Sequence, residues 1–193
     1  MILPRTFFER DTLQVAHELL GKQLVRTWGD GRRLVGRIVE TEAYVGQTDS
    51  ACHASRGKTA RNAVMFGPPG HAYVYFIYGM YHCLNVVTEA EGYPAAVLVR
   101  ALEPVAGLDA MRELRGGRAD RELTSGPGKL CQALAIDRSH NGVDLCSAGA
   151  LRIEAGEPVA RVETSPRIGI RGVEKDLIAP WRFYVSDNPF LSR

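Results

Sequence analysis

Gly70-His71-Ala72-Tyr73-Val74-Tyr75-Phe76-Ile77-Tyr78-Gly79-Met80-Tyr81-His82-Cys83-Leu84-Asn85 is the stretch on which the fold turns. Two runs rich in aromatic and β-branched residues meet at Gly79, the pattern of a β-hairpin. It predicts strands from His71 to Tyr78 and from Tyr81 to Thr88. The wider stretch, residues 50 to 88, contains no Asp or Glu. It nevertheless holds Arg56, Lys58 and Arg61, three of the five histidines and four of the seven tyrosines. A polyanion would meet no carboxylate here, and a flat ring would find stacking partners, which points to nucleic acid with an exposed base. An ordinary aromatic hairpin beside a solvated loop would look the same, so this stretch alone leaves both readings open.

Working outward, Asp11 is placed to cap a helix from Thr12 to Leu20, with Leu13, Ala16, Leu19 and Leu20 on one face and Gly21 as its stop. A strand from Lys22 to Thr27, a turn at Gly29-Asp30-Gly31 and a longer strand from Leu34 to Tyr44 follow. Residues 45 to 62 read as a long loop, and long ordered loops are often functional. Thr59 is placed to cap a short helix through Phe66, before the turn Gly67-Pro68-Pro69-Gly70. Beyond the hairpin we expect a strand from Ala95 to Leu102 and a helix from Val105 to Leu114. A second helix is expected from Pro127 to Leu134, capped by Thr124 or Ser125. Short strands are expected at Leu151 to Glu154, Val159 to Val162, Arg167 to Ile170 and Arg182 to Val185. Strands outnumber helices and are spaced as hairpins. The class is α+β: one mixed domain over residues 1–193, a largely antiparallel sheet with helices packed on it.

Composition narrows the function. The net charge is only +2, so affinity for a polyanion must come from one face. No apolar run approaches the roughly 20 residues of a membrane helix, and the start of the chain does not read as a signal peptide. A cytoplasmic protein is expected. Cys52, Cys83, Cys131 and Cys146 show no Cys-x-x-Cys spacing, which argues against zinc and for small buried thiols. No ligand cluster suggests a metal or organic cofactor.

Glu42 is the leading candidate for chemistry. It falls near the end of a strand, on the face of Tyr44 if the period of two holds, just before the long loop. Partial desolvation beside aromatic rings would suit it to act as a base or to stabilise a cation. Glu40 shares that face, and spacing does not choose between them. Tyr44, His53 and Tyr75 could form an aromatic cage favouring a cationic ring. For Tyr73 and Tyr75, core packing is the competing reading. Tyr78 stands where the hairpin turns, a poor place for a core residue and a good one for a wedge into a base stack. Asn85 interrupts a strand, either to read a base edge or to bond the backbone. Arg100 follows an apolar run, so it needs a buried carboxylate or a ligand. Ser125-Gly126-Pro127-Gly128-Lys129 resembles an anion-binding helix start without being a Walker motif.

These residues carry a resemblance. Thr41-Glu42-Ala43-Tyr44, Met65 to Asn85, Leu98 to Pro104, Gly126 to Leu134, Pro166 to Ile170 and Arg182 to Val185 are similar, in order, to the 3-methyladenine (alkyladenine) DNA glycosylases. The resemblance implies a single mixed domain with a protruding hairpin and a curved sheet. It implies hydrolysis of the N-glycosidic bond of damaged purines of the 3-methyladenine, 7-methylguanine and hypoxanthine type, flipped from double-stranded DNA, by a monomer without cofactor. On the matching positions, Glu42 would activate water and Arg100 would help position Glu42 and that water or the nearby backbone. Tyr44, His53 and Tyr75 would line the base pocket. Asn85 would help reject guanine, Tyr78 would fill the gap left by the base, and Lys129 would contact the DNA backbone or brace the site. The chain lacks the N-terminal extension of animal relatives and so looks like a compact bacterial-type member. His82 replaces an aromatic found in some relatives. The competing classes are a non-catalytic damaged-DNA binding protein and a nucleoside hydrolase. A lysine nucleophile at Lys129 is the alternative chemistry.

Overall fold

The computed structural model describes residues 1–192. Two short helices open the chain, α1 (Arg5–Phe8) and α2 (Thr12–Glu18). Asp11 caps α2, its side chain accepting from Gln14 N at 3.0 Å. A helix of that length is unstable alone. It is held by Val15, Ala16 and the following Leu19, all without exposed surface, each large apolar side chain contributing roughly 1.5–3 kcal/mol of burial.

The sheet is built from β1 (Gln23–Thr27), β2 (Arg33–Tyr44), β3 (Ala72–Ile77), β4 (Tyr81–Thr88), β5 (Ala95–Ala106), β6 (Leu151–Glu154), β7 (Val162–Ser165) and β8 (Arg182–Val185). Its main path runs β3-β4-β5-β2-β1-β6, and β8 joins β2 and carries β7. Every strand pair is antiparallel, as the hairpin spacing predicts. β2 is long enough to pair β1 through its first half and β8 through Glu40–Glu42. α3 (Leu108–Leu114), α4 (Asp120–Leu123), α5 (Pro127–Ala133) and α6 (Glu174–Leu177) complete the fold. Val74, Leu84, Val86, Val97, Val99 and Leu102 belong to the main core, together with Leu130 and Leu134 from α5 and its end.

Several expected boundaries move. The helix expected from Val105 begins at Leu108, because Pro104 and Ala106 still pair with Gly36 and Val35 of β2. Gly107, at φ 79°, then turns the chain. The segment from Thr59 forms only a 3-10 turn at Ala63–Phe66; the Thr59 hydroxyl accepts the Asn62 amide at 3.4 Å, and the Thr59 amide bonds the Asn62 side chain. α5 has Gly126 as its cap without a side-chain bond, since the Thr124 hydroxyl is committed to Leu102 O. The strand expected at Val159–Val162 shifts to Val162–Ser165, where β8 supplies its partner. Residues 167–170 form no strand. Arg167 turns inward, and the Ile168 amide bonds a side chain rather than a ladder carbonyl.

The β3–β4 hairpin ends in an exposed tip. Tyr78 (φ 55°) and Gly79 (φ 69°) both lie in the left-handed region, and Tyr78 is 77% exposed. At its base Tyr81 lies on α5, where a Cβ on Gly128 would come within 2.9 Å of the ring. Among the described residues, no helix is long and apolar enough to cross a membrane.

Candidate active site

Strand register assembles the site. Tyr73 is opposite Asn85, Asn85 opposite Leu98, Leu98 opposite Glu42, and Glu42 opposite Arg182. Directly paired residues share a face of an antiparallel sheet, so one row across five strands carries Tyr73, Asn85 and Glu42. Two residues along β3, Tyr75 pairs with Cys83 on the same face. Between β2 and β5 the register breaks around Glu40, leaving Arg100 without a direct partner. Bulges re-aim side chains. Here the bulge sets Arg100 between two carboxylates, with Nε 3.1 Å from Glu40 Oε1 and NH1 3.2 Å from Glu42 Oε1.

The two glutamates, indistinguishable by spacing, differ sharply. Both are fully buried. Glu40 accepts from Arg100, Arg182 Nε (2.7 Å), Ser192 Oγ (2.7 Å) and Ser192 N (2.6 Å). Three of these four bonds fall on Oε1 and one on Oε2, and the carboxylate braces Arg100. Glu42 Oε1 takes the Ile168 amide at 2.7 Å, while Oε2, among the described residues, accepts only the Tyr44 hydroxyl, at 2.9 Å. That oxygen retains capacity for another donor. Glu42 is thus sealed behind Tyr44, more deeply than the expected partial desolvation. Burial opposes the charge on Arg100, but Glu42 and Glu40 outweigh it and raise its pKa. Burial first, then the Glu42 charge, holds the Tyr44 phenol well above its ordinary pKa.

In front of Tyr44 lies a small pocket of about 100 Å³, below the roughly 300–1,000 Å³ usual for small-ligand sites. Tyr44, His53, Tyr73, Tyr75, Asn85 and Ile170 are among its walls. Four of the predicted pocket residues therefore come together. Tyr73 is both core and pocket wall: it is 1% exposed, and its hydroxyl lies 2.9 Å from His53 Nδ1. The His53 and Tyr75 rings meet edge-on at 4.5 Å. Burial and then the Arg61 charge lower the His53 pKa, favouring the neutral ring. Asn85 takes the backbone option, Nδ2 donating to Tyr73 O at 3.1 Å, and it also lines the pocket.

The remaining predicted residues stand apart from the pocket. Tyr78, Tyr81, Arg100, Arg115, Arg118 and Lys129 line a separate cleft beneath the hairpin tip. Lys129 Nζ bonds Ser125 Oγ at 3.3 Å. Arg61 lies over the outer side of Tyr75, 5.6 Å from the ring centroid. Cys52, Cys83, Cys131 and Cys146 are all free thiols, and Cys146 alone is not buried. Among the described residues, no group of His, Cys, Asp or Glu is arranged to hold a metal ion. The sequence reading missed Tyr73 as a wall, the Ile168 amide, Arg182 and Ser192. Only strand register or chain return brings these to Glu40 and Glu42. The one signal available was that Ile168 and Arg182 fall in segments carrying the family resemblance.

A small aromatic pocket thus has a buried carboxylate behind it and a cleft with several cationic side chains alongside. The chain belongs to the methylpurine-DNA glycosylase family, monofunctional enzymes of DNA repair, whose sequence model matches residues 6–189. It is 56% identical over 193 residues to a protein of Methanocella arvoryzae named "Putative 3-methyladenine DNA glycosylase", covering 100% of this chain and 96% of that one. A relative of the same name from Carboxydothermus hydrogenoformans is 57% identical over 195 residues, with both chains fully covered. One from Myxococcus xanthus is 51% identical, over 99% of this chain and 93% of that relative.

Proposed function

We propose that the protein flips 3-methyladenine, 7-methylguanine or hypoxanthine out of double-stranded DNA and hydrolyses the bond to deoxyribose. Glu42 carries this reading: a buried carboxylate behind an aromatic pocket, with one of its oxygens held, among the described residues, by a single hydroxyl. Tyr44, His53 and Tyr75 hold the base, and Asn85 crowds the exocyclic amine of guanine. Tyr78 fills the gap in the stack, and Lys129 meets the backbone. Flipping costs a few kcal/mol, least at weakened pairs, so that cost itself selects damage. An N3- or N7-alkylated purine is cationic and leaves with the electron pair of the glycosidic bond. The sugar becomes oxocarbenium-like, and water adds to C1′ while passing its proton to Glu42. Arg100 fixes the carboxylate. A neutral lesion also needs a proton on the departing base.

Lys129, in the cleft rather than the pocket, gives no support to a Schiff-base route. The protein acts as a monomer in the cytoplasm, on chromosomal DNA. Duplexes each carrying one defined lesion should release free base and leave an intact abasic strand. Binding without release would refute the reading in favour of a damaged-DNA binder, and equal activity on free nucleosides would favour a nucleoside hydrolase.

A further inference from the structure

We propose, resting on the excision reading above, that Arg167 is a positioning residue which, paired with Asp49, holds Tyr44, Glu42 and the His53 loop in one geometry. The Arg167 and Asp49 side chains have no exposed surface and meet in a two-pronged pair, at 2.6 and 2.9 Å. NH1 also donates to Ala43 O at 3.0 Å, and NH2 to Asp176 O at 3.3 Å. The guanidinium carbon sits 4.7 Å from the Tyr44 ring centroid and 4.9 Å from that of Trp181. Nε is buried and, among the described residues, without a hydrogen-bond partner, the cation being packed against these rings.

Each contact leads to a different wall of the pocket. The Tyr44 ring is backed by the cation, and the carbonyl just before Tyr44 is bonded to it. Asp49 ties in the loop: it also accepts from Val45 N at 3.2 Å and Ala51 N at 3.0 Å, and Ala51 and His53 are both pocket walls. The residue after Arg167 supplies the amide on Glu42 Oε1, and Ile170, a few residues on, closes the pocket. Base, carboxylate and loop thus share one anchor.

Stability alone does not account for the pair. Replacing a buried ion pair by apolar side chains of similar size is often neutral or stabilising. A forked guanidinium fixes direction as well as distance, which a lysine or an apolar contact does not. Displacing a reacting group by about 1 Å can cost about 10²-fold in rate.

The test uses Arg167→Lys and the double variant Arg167→Met with Asp49→Leu, against wild type. Three quantities are measured: the thermal midpoint, affinity for abasic duplex, and the single-turnover rate of 7-methylguanine release per folded molecule with all DNA bound. The double variant should fold and bind abasic duplex as wild type does, with release slowed at least about tenfold. Arg167→Lys should show the same split and carries the test if the double variant does not fold. Release per folded molecule within about twofold of wild type overturns the positioning role and leaves the excision reading intact. A wild type that binds lesion duplex but releases no base sinks both.

Discussion

Glu42→Gln is the substitution that bears most directly on the chemistry. The side chain keeps its size, but one oxygen becomes an amide nitrogen and the buried negative charge is lost. The Ile168 amide can only donate, so the remaining carbonyl should turn toward it. The NH2 group then faces the Tyr44 hydroxyl, which can reverse and accept. Arg100 loses one of two carboxylate partners but keeps Glu40 at 3.1 Å. The folded state therefore loses one charge-assisted contact, worth roughly 1.5–3 kcal/mol, and the protein should stay folded. Catalysis loses more. A positioned general base contributes about 10²–10⁴-fold, and stabilisation of developing charge acts through the same carboxylate. We expect release to fall at least about 10³-fold, a barrier increase of about 4 kcal/mol. The assay is single-turnover release of 7-methylguanine from duplex DNA, with lesion binding measured by anisotropy on the same sample. Release within about tenfold of wild type, with binding intact, would refute the assignment of Glu42 as the base.

Three further outcomes follow from particular side chains. Tyr78→Ala should leave the thermal midpoint unchanged, because the ring is 77% exposed. It should weaken excision from fully paired duplex more than from single strands, by up to the roughly 1–3 kcal/mol of a base–aromatic stack. Lys129→Ala should lower the slope of log affinity against log salt by about 0.9, the effect of one lost phosphate contact; an unchanged slope would remove Lys129 from the DNA path. Burial pushes the Tyr73 phenol up to about 12. Its folded pKa lies above the unfolded value of about 10. Its stabilisation is therefore complete below pH 10 and lost as pH rises through about 12. Absorbance titration of wild type against Tyr73→Phe should show the missing phenol ionising there rather than near 10.

Much of the fold is legible in local chemistry. Asp11 caps α2, Gly29-Asp30-Gly31 turns between β1 and β2, and the aromatic runs on either side of Gly79 form the hairpin. Each depends on interactions within a few residues. Errors occur where a distant partner decides. Pro104 and Ala106 stay extended because β2 lies alongside. Arg167–Ile170 has strand-like composition, yet leaves the sheet to bury one cation and present one amide.

The sequence by itself determined the inventory. It placed a carboxylate before a long loop, an acid-free stretch around tyrosines, a tyrosine at a turn, and a set of ordered segments shared with one family. The tertiary structure decided which members act together. Glu40 and Glu42 are equivalent by spacing, and only the bulge at Arg100, the return of Ser192 and the Ile168 amide give one of them four donors and set the other behind Tyr44. Hydrogen bonding is a property of neighbours in space. Strand alternation can put two carboxylates on one face, but register and chain return determine what each of them meets there.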